Sequence, residues 1–174
     1  MSEDLVFTQE TEKNEVFTSV ENYLKAQGFQ IVDRDLKRHW GGFYVLDESQ
    51  IDNFIQTYFA EHQFSDEEMK SKMSPKILLV APHKRLSDQS HERRSEIWKV
   101  IVGPVGVFTA EIADDEGETN TYEENEIIQL PQGKRHRLIG QENWGIVAEI
   151  WRHTDLNKPS NEDDIIRYQD DFGR

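Results

Sequence analysis

The chain lacks cysteine altogether, which excludes disulfide bonds, thiolate metal ligands and a cysteine nucleophile. It also lacks any apolar run near the roughly 20 residues that a membrane-spanning helix needs. The acidic N-terminus, MSEDLVFTQETEKNE, shows no apolar segment of a secretory signal. We therefore expect no membrane partner and a cytoplasmic location.

Positive charge is also scarce. The sequence has 20 Lys and Arg against 34 Asp and Glu, for a formal net charge of −14. Nucleic acids are held by basic stripes that neutralise phosphates, so no nucleic-acid partner is expected. The chain is long enough for a hydrophobic core, because 174 residues can form one domain. Nine Phe, five Tyr and four Trp are more than a disordered chain usually carries.

Apolar residues at helical spacing predict two helices near the N-terminus, over 16–27 and 49–62. Gly28 ends the first helix, and a polar connector follows the second as far as about residue 74. Strands are predicted over 29–32 and 41–46. From Lys76 onward short β-runs alternate with turns, over 77–81, 97–102, 105–112, 127–130, 137–139 and 146–151. Short strands at close spacing are typical of a sandwich or barrel, so we expect an all-β core with N-terminal helices.

Two short segments carry residues suited to a metal site. Gln89, His91 and Glu96 have the spacing Q-x-H-x4-E, and His136 follows Pro131 in the segment PQGKRH. In a strand Gln89 and His91 share a face, because side chains alternate. Imidazole nitrogen together with carboxylate or amide oxygen makes a mixed shell for a divalent ion. The expected cofactor is one divalent metal ion, either zinc or manganese, iron, cobalt or nickel. Alternatively, Glu96 is a solvated strand residue and Gln89 bonds a backbone turn.

Basic residues cluster around these two segments of an otherwise acidic chain. Eight of the 20 lie there: Lys84, Arg85, Arg93, Arg94, Lys99, Lys134, Arg135 and Arg137. Any one of them could simply be solvated. As a group they are expected to attract an anion locally.

The two segments resemble the cupin superfamily, whose first motif is H-x-H-x(3,4)-E and whose second contains P-x-G-x-x-H. Gln89 stands in place of the first histidine. Residues 86–98 are similar to the L-S-L-Q-x-H-x-x-R-x-E-x-W signature of the type II mannose-6-phosphate isomerase domain. Residues 38–41 resemble its R-P-W-G opening, and 162–167 and 172–174 resemble its closing E-D-D-I-V-R and Y-G-R.

The resemblance covers about residues 38–174 and implies a double-stranded β-helix, the cupin or jelly-roll barrel. Residues 1–37 would then be an N-terminal helical extension, and about 49–74 a helical insertion. Four positions depart from the family pattern. His39 stands where the family has Pro, Glu92 and Arg93 replace two histidines, and Trp151 replaces a Gln. These changes leave the sugar open.

The resemblance implies a metal-dependent aldose–ketose isomerase, interconverting mannose 6-phosphate and fructose 6-phosphate, as a homodimer. Gln89, His91, Glu96 and His136 would hold the metal. Catalytic roles are assigned to Arg94, Glu149 and Arg167, and sugar-phosphate binding to Lys84, Arg85 and Arg137. Arg94 is chosen because its planar fork binds oxyanions.

Two other functions are weighed against the isomerase. One is a non-catalytic metal-binding cupin that holds a sugar or nucleotide sugar as a sensor or accessory subunit, since one scaffold hosts many functions. The other is a metal-dependent oxygenase. It is less favoured, because Gln89 offers a neutral oxygen where an iron site would use imidazole.

Overall fold

The computed structural model describes residues 5–111 and 116–171. The closing signature at 172–174 and the end of the strand predicted over 105–112 lie outside these residues. Three helices precede or interrupt the β-structure: α1 (Lys13–Ala26), α2 (Ile51–Tyr58) and α3 (Asp66–Met69). No helix in these described parts is long and apolar enough to cross a membrane.

Eleven strands are present in the described ranges. They are β1 (Ile31–Arg38), β2 (Gly41–Leu46), β3 (Lys76–Val80), β4 (Asp88–Ser90), β5 (Arg94–Val102), β6 (Val105–Ala110), β7 (Glu118–Tyr122), β8 (Ile127–Leu130), β9 (Arg135–Gly140), β10 (Gly145–His153) and β11 (Ile166–Gln169). They form a six-stranded sheet in the order β1-β2-β3-β10-β5-β8 and a five-stranded sheet in the order β11-β4-β9-β6-β7. Every pairing within these sheets is antiparallel.

The two sheets face each other around an apolar interior. Its buried residues come from both sheets: Leu78, Val80, Trp98, Val100, Val105, Val107, Ile128, Leu130, Leu138 and Val147. Side chains alternate along a strand, so the residues between them in β3, β5 and β10 point away from this interior. The expected all-β barrel of cupin type is therefore confirmed.

The helices cover the outer face of the six-stranded sheet. Phe17 and Leu24 of α1 and Phe54 of α2 are buried against Ile77 and Ile150 of that sheet, in a second apolar cluster. The apolar stripes of the predicted helices thus pack on the barrel itself. Both helices lie close to their predicted positions, although α2 ends at Tyr58 and a 3-10 turn over Glu48–Gln50 precedes it.

The strand predicted over 29–32 is instead the longer β1, over Ile31–Arg38, and three short polar strands, β4, β7 and β11, were not predicted. β7 (ETNTY) and β11 (IRYQ) are mostly exposed, so neither shows the apolar alternation that marks a strand. The predicted boundary at residue 37 stays a prediction, and β1 runs across that position to pair with β2. The predicted insertion at about 49–74 contains α2 and α3.

Candidate metal centre

The strand β5 carries the first part of the candidate site. Arg94, Glu96 and Trp98 alternate with outward-facing residues along it, and all three line one pocket inside the barrel. In the register of β5 with β10, Trp98 lies opposite Glu149. The strand β9, on the other sheet, supplies His136.

His91, Glu96 and His136 converge inside the barrel, and each is 2% exposed. The Nε2 of His91 lies 3.0 Å from one oxygen of Glu96, and the Nε2 of His136 lies 3.5 Å from the other. The two imidazole rings are 5.1 Å apart between centroids. One ligand atom from each residue lies within 4.8 Å of the others, so this buried cluster can hold a metal ion.

Backbone carbonyls orient both imidazoles. The Nδ1 of His91 lies 2.6 Å from the carbonyl oxygen of Asp164, and the Nδ1 of His136 lies 3.2 Å from that of Lys134. A carbonyl oxygen only accepts, so each Nδ1 carries a hydrogen and each Nε2 is the ring nitrogen that faces Glu96. Metal-binding histidines are commonly fixed in this way.

The surroundings of His136 test whether a metal fits. Its Nε2 is buried without a hydrogen-bond partner among the described residues. A buried polar atom normally has a partner. Here Nε2 faces the carboxylate of Glu96 at 3.5 Å, and a cation between a neutral imidazole and that carboxylate would satisfy both. The donor set therefore fits a divalent ion that accepts nitrogen and oxygen.

Gln89, the fourth predicted ligand, lines the same pocket and lies opposite His136 in the pairing of β4 with β9. Its amide oxygen accepts a hydrogen bond from the hydroxyl of Ser87, 3.0 Å away. The structure therefore brings Gln89 to the wall of the site. Its role as a ligand stays a prediction.

Arg94 is engaged by protein groups on every side. Its Nε donates to Glu96 at 3.0 Å, and its Nη1 donates to the hydroxyl of Ser160 at 2.9 Å and the carbonyl of Asn161 at 3.1 Å. Its Nη2 lies 3.3 Å from the Nε2 of His91, and its guanidinium carbon lies 3.9 Å from the ring centroid of Trp151. The guanidinium thus positions Glu96 and ties residues 160–161 to the barrel. The catalytic role predicted for it is untested.

The indole of Trp98 contacts two buried carboxyl groups whose pKa values are shifted in opposite directions. Its Nε1 donates to Glu149 at 2.8 Å and to Glu96 at 3.2 Å. Burial alone would raise the pKa of Glu96, but His91, His136 and Arg94 hold it well below its usual range. Burial raises the pKa of Glu149 to about 8, with a further contribution from the charge of Glu96. Near neutral pH, therefore, Glu96 is an anion and Glu149 is mostly protonated.

The pocket above the cluster has a cationic mouth. Its wall includes Lys76, Arg38 and Arg167, together with aromatic side chains such as Trp40 and Phe43. Its empty space, counted together with the solvent at its open mouth, is about 750 Å³. The structure therefore places Glu149 and Arg167, two of the predicted catalytic residues, beside the cluster and at its entrance.

The residues predicted to bind substrate lie elsewhere. Arg85 and Arg137 line a separate crevice on the five-stranded sheet. Arg85 pairs with Asp171 at 2.6 Å, and Arg137 donates to the carbonyl of Leu86 at 2.5 Å. Lys84 is exposed and lines neither space. The structure does not bring these three residues to the metal cluster. Arg137 takes the face of β9 opposite to that of His136, because side chains alternate along a strand, and Lys84 and Arg85 are exposed residues before β4.

Sequence reasoning missed three residues that shape the site. Lys76 opens the apolar run KILLV and points into the pocket. Asp164 accepts hydrogen bonds from the backbone amides of Glu92 and Arg93 at 2.9 and 3.0 Å. Ser160 bonds both Arg94 and Asp164. A lone charge in an apolar run was a signal for Lys76. Asp164 lies in the 162–167 signature, although no role was assigned to it, and nothing local marked Ser160.

Two facing antiparallel sheets with a buried His-Glu-His cluster between them make a cupin-type barrel with a candidate metal site. The pattern of the Mannose-6-phosphate isomerase C-terminal family matches residues 47–170. The chain belongs to that family.

Two curated relatives show the same region within longer proteins. Mannose-1-phosphate guanylyltransferase of Salmonella montevideo is 34% identical over 144 residues, which cover 83% of this chain and 24% of the relative. Mannose-1-phosphate guanylyltransferase of Escherichia coli (strain K12) is 34% identical over 99 residues, covering 57% and 19%. The chain spans about a quarter or less of these enzymes.

One solved structure of similar fold is the capsular polysaccharide assembling protein CapF from Staphylococcus aureus. It superposes with a TM-score of 0.55 at 14% identity, over 88% of this chain and 36% of that chain. At this identity the likeness concerns the fold alone.

The comparison corrects the expected activity. The prediction of a sugar-phosphate isomerase is wrong, because these curated relatives are named for guanylyl transfer to mannose 1-phosphate. The physical reason is that the Gln-His-Glu-His spacing specifies a barrel and its metal-type cluster. A reaction depends on further groups around such a site, so one scaffold hosts several activities.

Proposed function

We propose that this chain works in the guanylyl activation of mannose 1-phosphate, and that its pocket holds the sugar phosphate through a divalent metal ion. The observation that carries the proposal is the unpartnered, buried Nε2 of His136, which faces Glu96 in the His-Glu-His cluster, together with the position of Glu96 in the lining of a pocket with a cationic mouth. The sugar phosphate comes from the names of the relatives.

His91, Glu96 and His136 would hold the ion, with Gln89 beside them. When bound, a divalent ion at this position supplies a Lewis acid for sugar oxygens. Three protein ligands would leave coordination positions open, as a site that binds a small molecule requires.

The protein groups around the cluster suit a polar, anionic ligand. The carboxyl group of Glu149, protonated near neutral pH because its pKa is raised to about 8, can donate a hydrogen bond to a hydroxyl oxygen. Trp40 and Phe43 offer apolar surface on the pocket wall. Lys76 and Arg167 offer positive charge at the mouth, which an acidic protein needs in order to hold a phosphate.

A binding measurement tests the first part of the proposal. Wild-type protein loaded with Mn²⁺ or Zn²⁺ should bind mannose 1-phosphate by isothermal titration calorimetry, and chelator should abolish that binding. His136→Ala should behave like the chelated protein. His83→Asn is the matched control, because His83 lies on the surface with 60% of its side chain exposed. Equal binding with and without metal would reject a metal-held ligand.

A turnover measurement tests the second part. The protein is incubated with GTP, mannose 1-phosphate and the divalent ion, and GDP-mannose and pyrophosphate are quantified. Product that appears with wild type and is lost with His136→Ala supports a part in guanylyl transfer. Binding without product would reject that part and leave metal-dependent sugar-phosphate binding.

A further inference from the structure

Lys76 is a nearly buried cation in the pocket wall. Its side chain is 11% exposed, and its ammonium lies 4.6 Å from the ring centroid of Trp151 and 5.7 Å from that of Phe43. Aromatic faces stabilise a cation but do not neutralise its charge. A cation this far from water requires an anionic partner nearby.

The anionic partner that the structure provides is Glu162. Its carboxylate lies 3.3 Å from the ammonium of Lys76, and 65% of its side chain is exposed. Both residues line the pocket. Glu162 therefore stands at the mouth, in contact with solvent, while Lys76 lies on the wall.

The segment that carries Glu162 is anchored by other residues. Asp164 accepts from the backbone amides of Glu92 and Arg93, and Arg94 donates to the carbonyl of Asn161 at 3.1 Å. These bonds do not involve the carboxylate of Glu162. Its side chain can therefore leave Lys76 without releasing the segment.

We propose that Glu162 is a displaceable counter-ion, which the phosphate group of the ligand replaces on Lys76. Lys76 is then the residue that selects phosphorylated over neutral sugars, and Glu162 weakens the binding of every anion that enters the pocket. This inference rests on the proposed function, and it names the residues that recognise the phosphate end of the ligand.

The charges make the exchange favourable. A phosphate monoester carries about −1.5 to −2 at neutral pH, against −1 for a carboxylate, and it offers three acceptor oxygens. An ion pair with one exposed partner contributes little, so little is lost when Glu162 departs. Arg167 lines the same mouth, and its side chain makes no ion pair with another residue in the described ranges. It can join Lys76 on the same phosphate.

The test compares three variants by calorimetry with mannose 1-phosphate and with mannose, on metal-loaded protein. Glu162→Gln should bind mannose 1-phosphate about two- to fivefold more tightly than wild type, and mannose with unchanged affinity. Lys76→Met should lower the affinity for mannose 1-phosphate about tenfold or more, and the affinity for mannose much less. Glu61→Gln, which removes one negative charge from an exposed position in the turn after α2, should change neither affinity.

Salt and inorganic phosphate sharpen the comparison. The gain of Glu162→Gln should shrink between low and 0.5 M salt, because salt screens an exposed carboxylate. Inorganic phosphate should compete with mannose 1-phosphate more strongly in Glu162→Gln than in wild type. Competition that is equal in the two proteins would place the phosphate away from Glu162 and overturn the proposal.

The outcomes separate this inference from the proposed function. A wild type that binds no mannose 1-phosphate with metal overturns both. A wild type that binds it, with Glu162→Gln unchanged or equally altered for mannose, overturns this inference alone. Thermal unfolding of Glu162→Gln provides a check. A large loss of stability would show that Glu162 instead anchors the segment that carries it.

Discussion

His136 has two ring nitrogens in different surroundings. Nδ1 donates to a carbonyl, whereas Nε2 is buried without a partner among the described residues. Such an atom costs about 1–3 kcal/mol, so a metal ion at this position should stabilise the fold. We expect Mn²⁺ or Zn²⁺ at a hundredfold excess over its Kd to stabilise wild type by about 2.7 kcal/mol.

His91→Ala and His136→Ala should each lose this stabilisation and fall below the metal content of wild type. Elemental analysis and thermal unfolding with and without chelator measure the two effects. His83→Asn should match wild type in both. Wild-type metal content in both alanine variants would show that the cluster is not the metal site.

Trp98 separates the two carboxyl groups of the site. Replacing it with Phe removes the indole N–H that both Glu96 and Glu149 accept. Glu96 then keeps the hydrogen bond from Arg94 at 3.0 Å but loses the one from Trp98, so Glu96 is less well fixed as a ligand. We expect Trp98→Phe to lower metal affinity about 10–100-fold, the usual effect of losing a group that orients a ligand.

Trp40→Phe is the matched control for Trp98→Phe. Trp40 lines the same pocket, and its indole N–H has no partner among the described residues, so its loss breaks no bond near the cluster. Competition titrations with a metal indicator give both affinities. Equal losses in the two variants would mean that aromatic packing, and not the hydrogen bond, supports the site.

Among the elements, α3 is the shortest helix, and it depends on its capping residues. Ser65 and Glu68 form a reciprocal capping box, and Glu68 also accepts from Arg152 of β10 at 2.9 Å. Burial alone would raise the pKa of Glu68, but Arg152 and Ser65 lower it below its usual range. A lowered folded pKa means that the carboxylate stabilises the fold above its unfolded pKa of about 4.3.

That stabilisation is lost as the pH falls through the folded pKa. We therefore expect Glu68→Gln to be less stable than wild type at pH 7, with the difference disappearing below about pH 4. Urea unfolding at pH 3–7 measures it. Glu67→Gln is the control, because its pair with Lys70 is largely exposed and should contribute little at any pH. A pH-independent difference would contradict the ion-pair account.

The sequence predicted the elements that bury an apolar face. The helix over 16–27 corresponds to α1, and the strand over 127–130 coincides with β8, because a buried stripe leaves a periodic pattern. β11 was missed because it is short, polar and at a sheet edge. Its partner β4 lies far back in the chain, and no local pattern records such a pairing.

The residues of the site divide in the same way, into those that a local pattern predicts and those that depend on contacts between distant parts of the chain. His91, Glu96 and His136 were predicted from spacing. Alternation along β5 and β9 fixes the faces that Glu96 and His136 take, whereas His91 lies just after β4. The contacts of Asp164 with the first motif were not predictable, because they join residues more than 70 positions apart. Nor was the outward position of Arg137, which follows only from His136 facing inward in the same strand.

At the scale of the whole molecule, the net charge is negative, whereas several basic residues gather at the pocket. The chain carries a net charge of −14, yet Lys76, Arg38 and Arg167 gather at one pocket. An anion is therefore repelled by most of the surface and attracted at that mouth. Added salt should therefore screen both the repulsion by the acidic surface and the attraction by the basic residues, and these two effects change the affinity for a sugar phosphate in opposite directions.

The helices and the barrel share one apolar cluster, so we expect them to unfold together. Phe17 of α1 is 3% exposed and packs edge-to-face on Tyr44 and Trp144. Phe17→Ala should lower the free energy of unfolding by about 3–5 kcal/mol. Val32→Ala, at a position 54% exposed, should change it by less than about 0.5 kcal/mol.

In the urea unfolding of Phe17→Ala, far-UV circular dichroism follows the whole secondary structure. Tryptophan fluorescence follows the barrel through the buried Trp98 and Trp151, and the contact with α1 through Trp144. Coincident transitions in urea indicate one cooperative unit. An earlier helical transition, with the fluorescence midpoint unchanged from wild type, would instead support a separate N-terminal extension over residues 1–37. Because α1 packs on the sheet that carries Glu96 and Glu149, the coincident result would also link metal retention to the helical layer.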